Sequence, residues 1–220
     1  MPSENYRVTI SSLNIREMPT TASRVLGQLH KDDLVEKLAE SEDNKWIELI
    51  NNGVQGWSSK RYLSKVPYIP PDGEDFPWMA VAEAEREKGI YEIPGSENST
   101  RVLEYLQSTS NLDRASRSKD ETPWCSAFVN WCVKQAGYEG TDSALARSWM
   151  TWGHPIDIPR KGCIVVFSRE TKFGHVGFFI GETATHIKVL GGNQQNLETK
   201  KFEVSEKEYP KSEWLGYRIP

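Results

Sequence analysis

The chain has 220 residues, 37% of them hydrophobic and 26% charged, with a formal net charge of −4. That balance fits a globular protein and excludes disordered and fibrous classes. The pI near 5.7 argues against a general nucleic-acid binder, which would carry a basic face. No apolar run approaches the ~20 residues of a membrane-spanning helix. The N-terminal MPSENYRVTI has no basic flank ahead of an apolar stretch, so no cleavable secretory signal is expected. The three cysteines, Cys125, Cys132 and Cys163, form neither a disulfide framework nor a CxxC pair, so no zinc site and no metal cofactor are expected. Free thiols suit synthesis in a reducing compartment.

Up to about residue 66 the apolar period is two. Tyr6, Val8 and Ile10 alternate with polar residues, as do Leu13 and Ile15, and the pattern returns around Trp46 and Leu49. Turn signals interrupt at short intervals, among them Met18-Pro19-Thr20, Asp43-Asn44 and Asn52-Gly53. Short strands at that spacing predict a small all-β barrel, with Asn52-Gly53 as a tight hairpin turn. The segment KVPYIPPDGEDFPW holds Pro67, Pro70, Pro71 and Pro77. Proline fixes φ and removes amide donors, so this segment predicts a stiff linker.

Beyond it the period changes. Helices are expected over Trp78–Gly89, Arg101–Gln107, Trp124–Gly137 and Ser143–Trp152. The third is the clearest, with Pro123 just before it and Gly137 at its end. Strands follow over Cys163–Phe167, His175–Gly181, His186–Gly192, Lys200–Val204 and Leu215–Ile219. Helices first and antiparallel strands second is an α+β pattern. The expected organisation is residues 1–66 as the barrel, 67–77 as the linker and 78–220 as the α+β domain.

The order and spacing of Leu13, Asn14, Ile15, Arg16 and Pro19, then Gly27, Trp46, Gly56, Trp57 and Tyr62-Leu63, resemble the bacterial SH3-like domain. Met18 departs from the glycine commoner there. The resemblance implies a module that targets an enzyme to bacterial cell wall. Trp46, Trp57 and Tyr62 are its available aromatics, and barrel core is the competing place for both tryptophans.

The chemistry concentrates in TPWCSAFVNWCVKQAG. Cys125, Phe128, Val129, Cys132, Val133 and Ala136 recur at helical spacing and face a core. Cys125 lies in the first turn, where helix amides favour a thiolate, so its pKa is expected to fall. Cys132, two turns on, has no such help and reads as core. Of four histidines, His175 in FGHVGFFIG is the best base, mounted at a strand start. Asn193, in VLGGNQQN on the next strand, is the candidate to orient the imidazole. Each alone is more often structural. Cys, His and a polar third residue together make a nucleophile, base and orienter. Trp124 and Trp149 are candidates to line a substrate groove, with core packing the competing reading. His154 reads as a loop residue and His186 as solvent-facing.

PWCSAFVNWCVKQAG, ALARSWMTWG, GCIVVF, GHVGFFIG, VLGGNQ and LGYRIP also resemble the cysteine, histidine-dependent amidohydrolase/peptidase (CHAP) and NlpC-like papain-type hydrolases. The resemblance covers about residues 78–220. It implies a cysteine-bearing helix packed on an antiparallel sheet, with Cys125 as nucleophile, His175 as base and Asn193 as orienter. This chain departs from it at Cys163, where many relatives carry an acid, and at Gly191-Gly192, where a glutamate often precedes the asparagine.

Together the two resemblances imply a peptidoglycan hydrolase that cuts either the muramoyl–L-alanine amide or a stem-peptide amide. It would be held to the wall by the first domain. The expected partner is peptidoglycan, with an immunity protein if the chain is a toxin, and neither nucleic acid nor membrane insertion. The expected location is synthesis in the cytoplasm and action in the periplasm or cell wall, reached by phage lysis or through a secretion system. Two other readings stay open: a non-catalytic wall-binding or adaptor protein, and a cysteine hydrolase acting on a non-wall amide.

Overall fold

In the computed structural model, residues 4–66, 73–170 and 173–220 are described, and the chain divides into two units, Met1–Tyr68 and Ile69–Pro220. Residues 67–72 of the proline-rich stretch lie outside the described residues.

The first unit is seven short strands: β1 (Asn5–Val8), β2 (Ser12–Arg16), β3 (Val25–His30), β4 (Leu34–Glu40), β5 (Trp46–Asn51), β6 (Val54–Ser59) and β7 (Leu63–Val66). They form one antiparallel sheet in the order β3-β2-β6-β5-β4-β1-β7. Alternation decides the faces. Tyr6 and Val8, Leu13 and Ile15, and Ile47, Leu49 and Leu63 point into one core, as a period of two requires. Asn52 (φ 49°) and Gly53 (φ 78°) are both left-handed and turn β5 into β6 as a primed hairpin. Trp46 is buried, whereas Trp57 and Tyr62 remain half-buried.

The second unit opens with α1 (Trp78–Glu87), α2 (Thr100–Gln107) and α3 (Cys125–Gln135). A six-stranded antiparallel sheet follows: β8 (His154–Ile156), β9 (Ile164–Arg169), β10 (Phe173–Glu182), β11 (His186–Gln195), β12 (Phe202–Pro210) and β13 (Trp214–Ile219). Its order is β12-β11-β10-β9-β13-β8. The fold class is therefore the expected one, an all-β N-terminal region followed by helices and an antiparallel sheet.

Burial explains the layer of helices. Phe128, Val129 and Val133 on α3 are fully buried, and burying such side chains stabilises the fold by about 1.5–3 kcal/mol each. Phe76, inside the stretch expected as linker, stacks on Trp78 with centroids 4.8 Å apart and belongs to this core. Glu85 on α1 is buried yet satisfied: the Tyr105 hydroxyl donates at 2.5 Å, and Arg101 and Lys88 pair with it at 3.0 and 2.7 Å. A buried carboxylate without such partners would be costly, so this cluster fixes α2 against α1.

The segment expected as a fourth helix, Ser143–Trp152, forms only a short 3-10 turn, Ala146–Thr151. Its start is tied to α3 instead of to its own ladder. Ser126 Oγ donates to the Ser143 carbonyl at 2.6 Å, and Asn130 Nδ2 donates to the same carbonyl at 3.0 Å. Strand β8 was not expected, and β12 runs well past Val204.

Candidate active site

Trp124 is the N-cap of α3, and Cys125 is the first helical residue. The helix seats its N-terminal half on β10 and β11. Gly192 permits that approach. A Cβ there would lie 2.4 Å from the Trp124 ring and 2.7 Å from Phe128 Cβ, closer than any side chain tolerates. Cys125 is 6% exposed.

Its electrostatics correct the expectation of a lowered pKa. Burial pushes the Cys125 thiol up and outweighs the groups that favour its thiolate. Those groups are Arg169 and the backbone amides of Val176, Ser126 and Cys125 itself. The helix N-terminus contributes as reasoned, but desolvation is larger. Cys132 and Cys163 are fully buried, and burial raises both, Cys163 to about 12. All three cysteines are free thiols.

His175, the third residue of β10, is fully buried beside Val176, whose amide serves the Cys125 sulfur. The Val176 amide thus ties the Cys125 thiol at the start of α3 to the strand that carries His175. The imidazole stacks on Tyr209 of β12, centroids 4.7 Å apart and planes 25° off parallel, and Tyr209 stacks in turn on Phe167 at 4.8 Å. Burial lowers the His175 pKa to about 3. Arg169 and Lys207 add to the fall, and the side chain of Gln194 opposes it. The thiol and the imidazole are therefore both neutral at rest.

The amide that meets the imidazole is that of Gln194, and the reason is a change of parity in β11. Gly191 pairs with Ser205, but the next pairing is Gln194 with Glu203. Three steps on β11 match two on β12, which is a β-bulge. Asn193 sits in it at φ 56°, a conformation asparagine tolerates. Plain alternation from Gly191 would put Asn193 on the histidine side; the extra residue puts Gln194 there. A Cβ on Gly191 would lie 3.4 Å from both His175 Nε2 and Gln194 Cδ, so ring edge and carboxamide share one place. Asn193, the residue expected to orient the imidazole, sits in the bulge next to Gln194.

Gln194 is itself held in one orientation. Its Nε2 donates to the Gly191 carbonyl at 3.2 Å and to the Ser205 carbonyl. Its Oε1 accepts the Tyr209 hydroxyl at 3.1 Å. Both amide hydrogens are spent on carbonyls, so Oε1 is the atom free to accept from the imidazole. Gln194, Tyr209 and Arg169 were missed in the sequence. The signal for Gln194 was the Gly-Gly-Asn run, which marks an interrupted strand; Tyr209 and Arg169 carry no local motif.

Trp124 and Trp149 are fully buried in the core of this unit. Trp149 Nε1 donates to Ser126 Oγ at 2.9 Å. Both tryptophans are packed as core residues, the competing place given for them. His154 is not in a loop but pairs with Ile219 on the outer strand β8, and His186 meets Thr185 at 2.9 Å through Nδ1. Among the described residues no group of three or more His, Cys, Asp or Glu side chains could hold a metal ion. Among them, too, no helix is long and apolar enough to cross a membrane.

Family models match residues in each of the two units. Residues 11–64 match the model of the bacterial SH3 domain, and residues 117–193 match that of the CHAP domain. No curated protein matches the chain. Solved structures similar to it include NlpC1 from Trichomonas vaginalis, at 14% identity over 99% of this chain and 69% of the other, with a TM-score of 0.34. NlpC2 from the same organism is similar at 14% identity over 99% and 72%, with a TM-score of 0.33.

Proposed function

We propose that this chain, a bacterial SH3 domain followed by a CHAP domain, hydrolyses an amide of peptidoglycan through Cys125 and His175, oriented by Gln194. The observation that carries the reading is the seating of Cys125 at the N-terminus of α3 against the amide of Val176, the residue next to a buried histidine whose Nε2 edge lies by the fixed Gln194 carboxamide. The bond is either the muramoyl–L-alanine amide or one in the stem peptide. The first domain holds the enzyme to its polymer. Delivery as a phage lysin or a secreted antibacterial toxin belongs to the same reading, with an immunity protein as partner in the second case.

The chemistry follows from the protonation states. The Nε2 edge of His175 faces Gln194, which leaves Nδ1 to take the thiol proton. Cys125 Sγ attacks the amide carbonyl as that proton moves, forming the C–S bond. The α3 amides that favour thiolate charge also suit the oxyanion that develops. The imidazolium then protonates the leaving amine as the C–N bond breaks. Water attacks the thioester with His175 as base and returns the free thiol.

The test is digestion of intact sacculi by the full chain and by Cys125→Ala, with products identified by mass spectrometry. New fragments from the wild type alone are expected, and their masses name the bond. No fragments from sacculi of several chemotypes would overturn the hydrolase reading and leave a wall-binding protein.

A further inference from the structure

Two cations stand over the ring that backs the catalytic histidine. Arg169, at the end of β9, reaches the Tyr209 hydroxyl with Nη2 at 3.5 Å, and its Cζ lies 5.9 Å from the ring centroid. Lys207, two residues before Tyr209 on β12, places Nζ 5.8 Å from the same centroid and donates to the Gln195 carbonyl at 3.3 Å. Tyr209 stacks on His175 at 4.7 Å, so both charges border the reacting pair. Among the described residues neither cation makes an ion pair. Glu213 also bears on the Tyr209 hydroxyl but is paired with neither.

Two like charges held together without a counterion lack a ligand that would neutralise them. We propose that Arg169 and Lys207 form a carboxylate-binding subsite beside Cys125 and His175, and that the substrate carries a free carboxylate next to the scissile amide. This rests on the hydrolase reading and sharpens its substrate. Arg offers a planar fork and Lys a point charge, a pair suited to an anionic oxygen pair. Occupancy would have a chemical consequence. Arg169 and Lys207 both depress the protonation of His175, and Arg169 depresses that of Lys207. A bound carboxylate offsets that repulsion, so the imidazolium formed during attack is stabilised when the correct substrate is present. Lys207 and Tyr209 lie beyond the residues that match the CHAP model.

The test needs no turnover. Cys125 in the full chain is alkylated with iodoacetate, which is anionic, and with iodoacetamide, which is neutral and nearly isosteric. Peptide mapping reads the rate at Cys125. The ratio of the two rates cancels any change in thiolate population. The ratio is expected to fall at least about tenfold in R169Q/K207Q, a change of about 1.4 kcal/mol in discrimination, and to fall with salt in the wild type. An unchanged ratio overturns the subsite while leaving the nucleophile in place. A Cys125 inert to both reagents overturns the nucleophile and the subsite with it. Cleavage rates on muropeptides whose nearest carboxylate is free or amidated give the second reading: the preference for the free form should collapse in the same variant, and its persistence contradicts the proposal.

Discussion

In the proposed mechanism Gln194 is the residue that orients His175. Its two donors are committed to the Gly191 and Ser205 carbonyls, and its oxygen takes the Tyr209 hydroxyl. Gln194→Ala should lower kcat on sacculi by on the order of 10- to 100-fold, the lower part of what positioned acid–base catalysis supplies, with a smaller change in KM. Gln194→Glu places a negative charge against the ring and stabilises the imidazolium. The acidic limb of the pH–rate profile should then move to higher pH, whereas a merely structural glutamine would leave it in place. His175 also has a linkage consequence. Its pKa falls from 6.5 to about 3 on burial, so between those values the unfolded chain holds a proton that the folded chain does not. The stability is complete above about pH 6.5 and is lost as pH drops, at up to about 1.4 kcal/mol per pH unit. Denaturant titrations at pH 7 and pH 5 should show this acid loss, and it should shrink in His175→Gln. The placement of Cys125 at a helix start and of His175 near a strand start was legible in the sequence, because both are local features. The place of Gln194 at the ring was not, because a one-residue bulge reverses which side chain faces it.

At the scale of elements, α3 must lie close to β11 for Cys125 to meet β10, and Gly192 sets that distance. Gly192→Ala forces a Cβ into the Trp124 and Phe128 side chains. It should cost about 1–3 kcal/mol, the range for overpacking a core, and reduce turnover as the helix shifts. Gly181→Ala is the matched control on β10, since a Cβ there meets nothing within 4 Å, and its stability should stay within about 0.5 kcal/mol of wild type. The elements themselves followed from periodicity: α1, α2, α3 and the central strands fall where the apolar spacing predicts. The exceptions have tertiary causes. Ser143–Leu145 is bound to Ser126 and Asn130 of α3, leaving only a 3-10 turn after it. Phe76 looks like linker beside Pro77, yet its ring finds Trp78.

At the scale of the whole molecule, the two units have separate cores. One is built on Leu29, Ile47 and Leu49, the other on the α3 face and the β9–β11 strands. Separate cores predict separable functions. Leu29→Ala opens a cavity in the first core at a cost of about 2–5 kcal/mol. It should weaken pull-down on sacculi while leaving the alkylation rate of Cys125 unchanged; a loss of both would show that the wall-binding and catalytic parts stand or fall together.

The central claim is that one thiol does the chemistry. Partial alkylation with iodoacetamide, read in parallel by peptide mapping and by residual sacculus digestion, tests it most directly. Residual activity should equal the fraction of Cys125 left unmodified, with Cys132 and Cys163 untouched because both are fully buried. Digestion that persists with Cys125 fully alkylated, or that is lost while Cys125 remains free, would contradict the account.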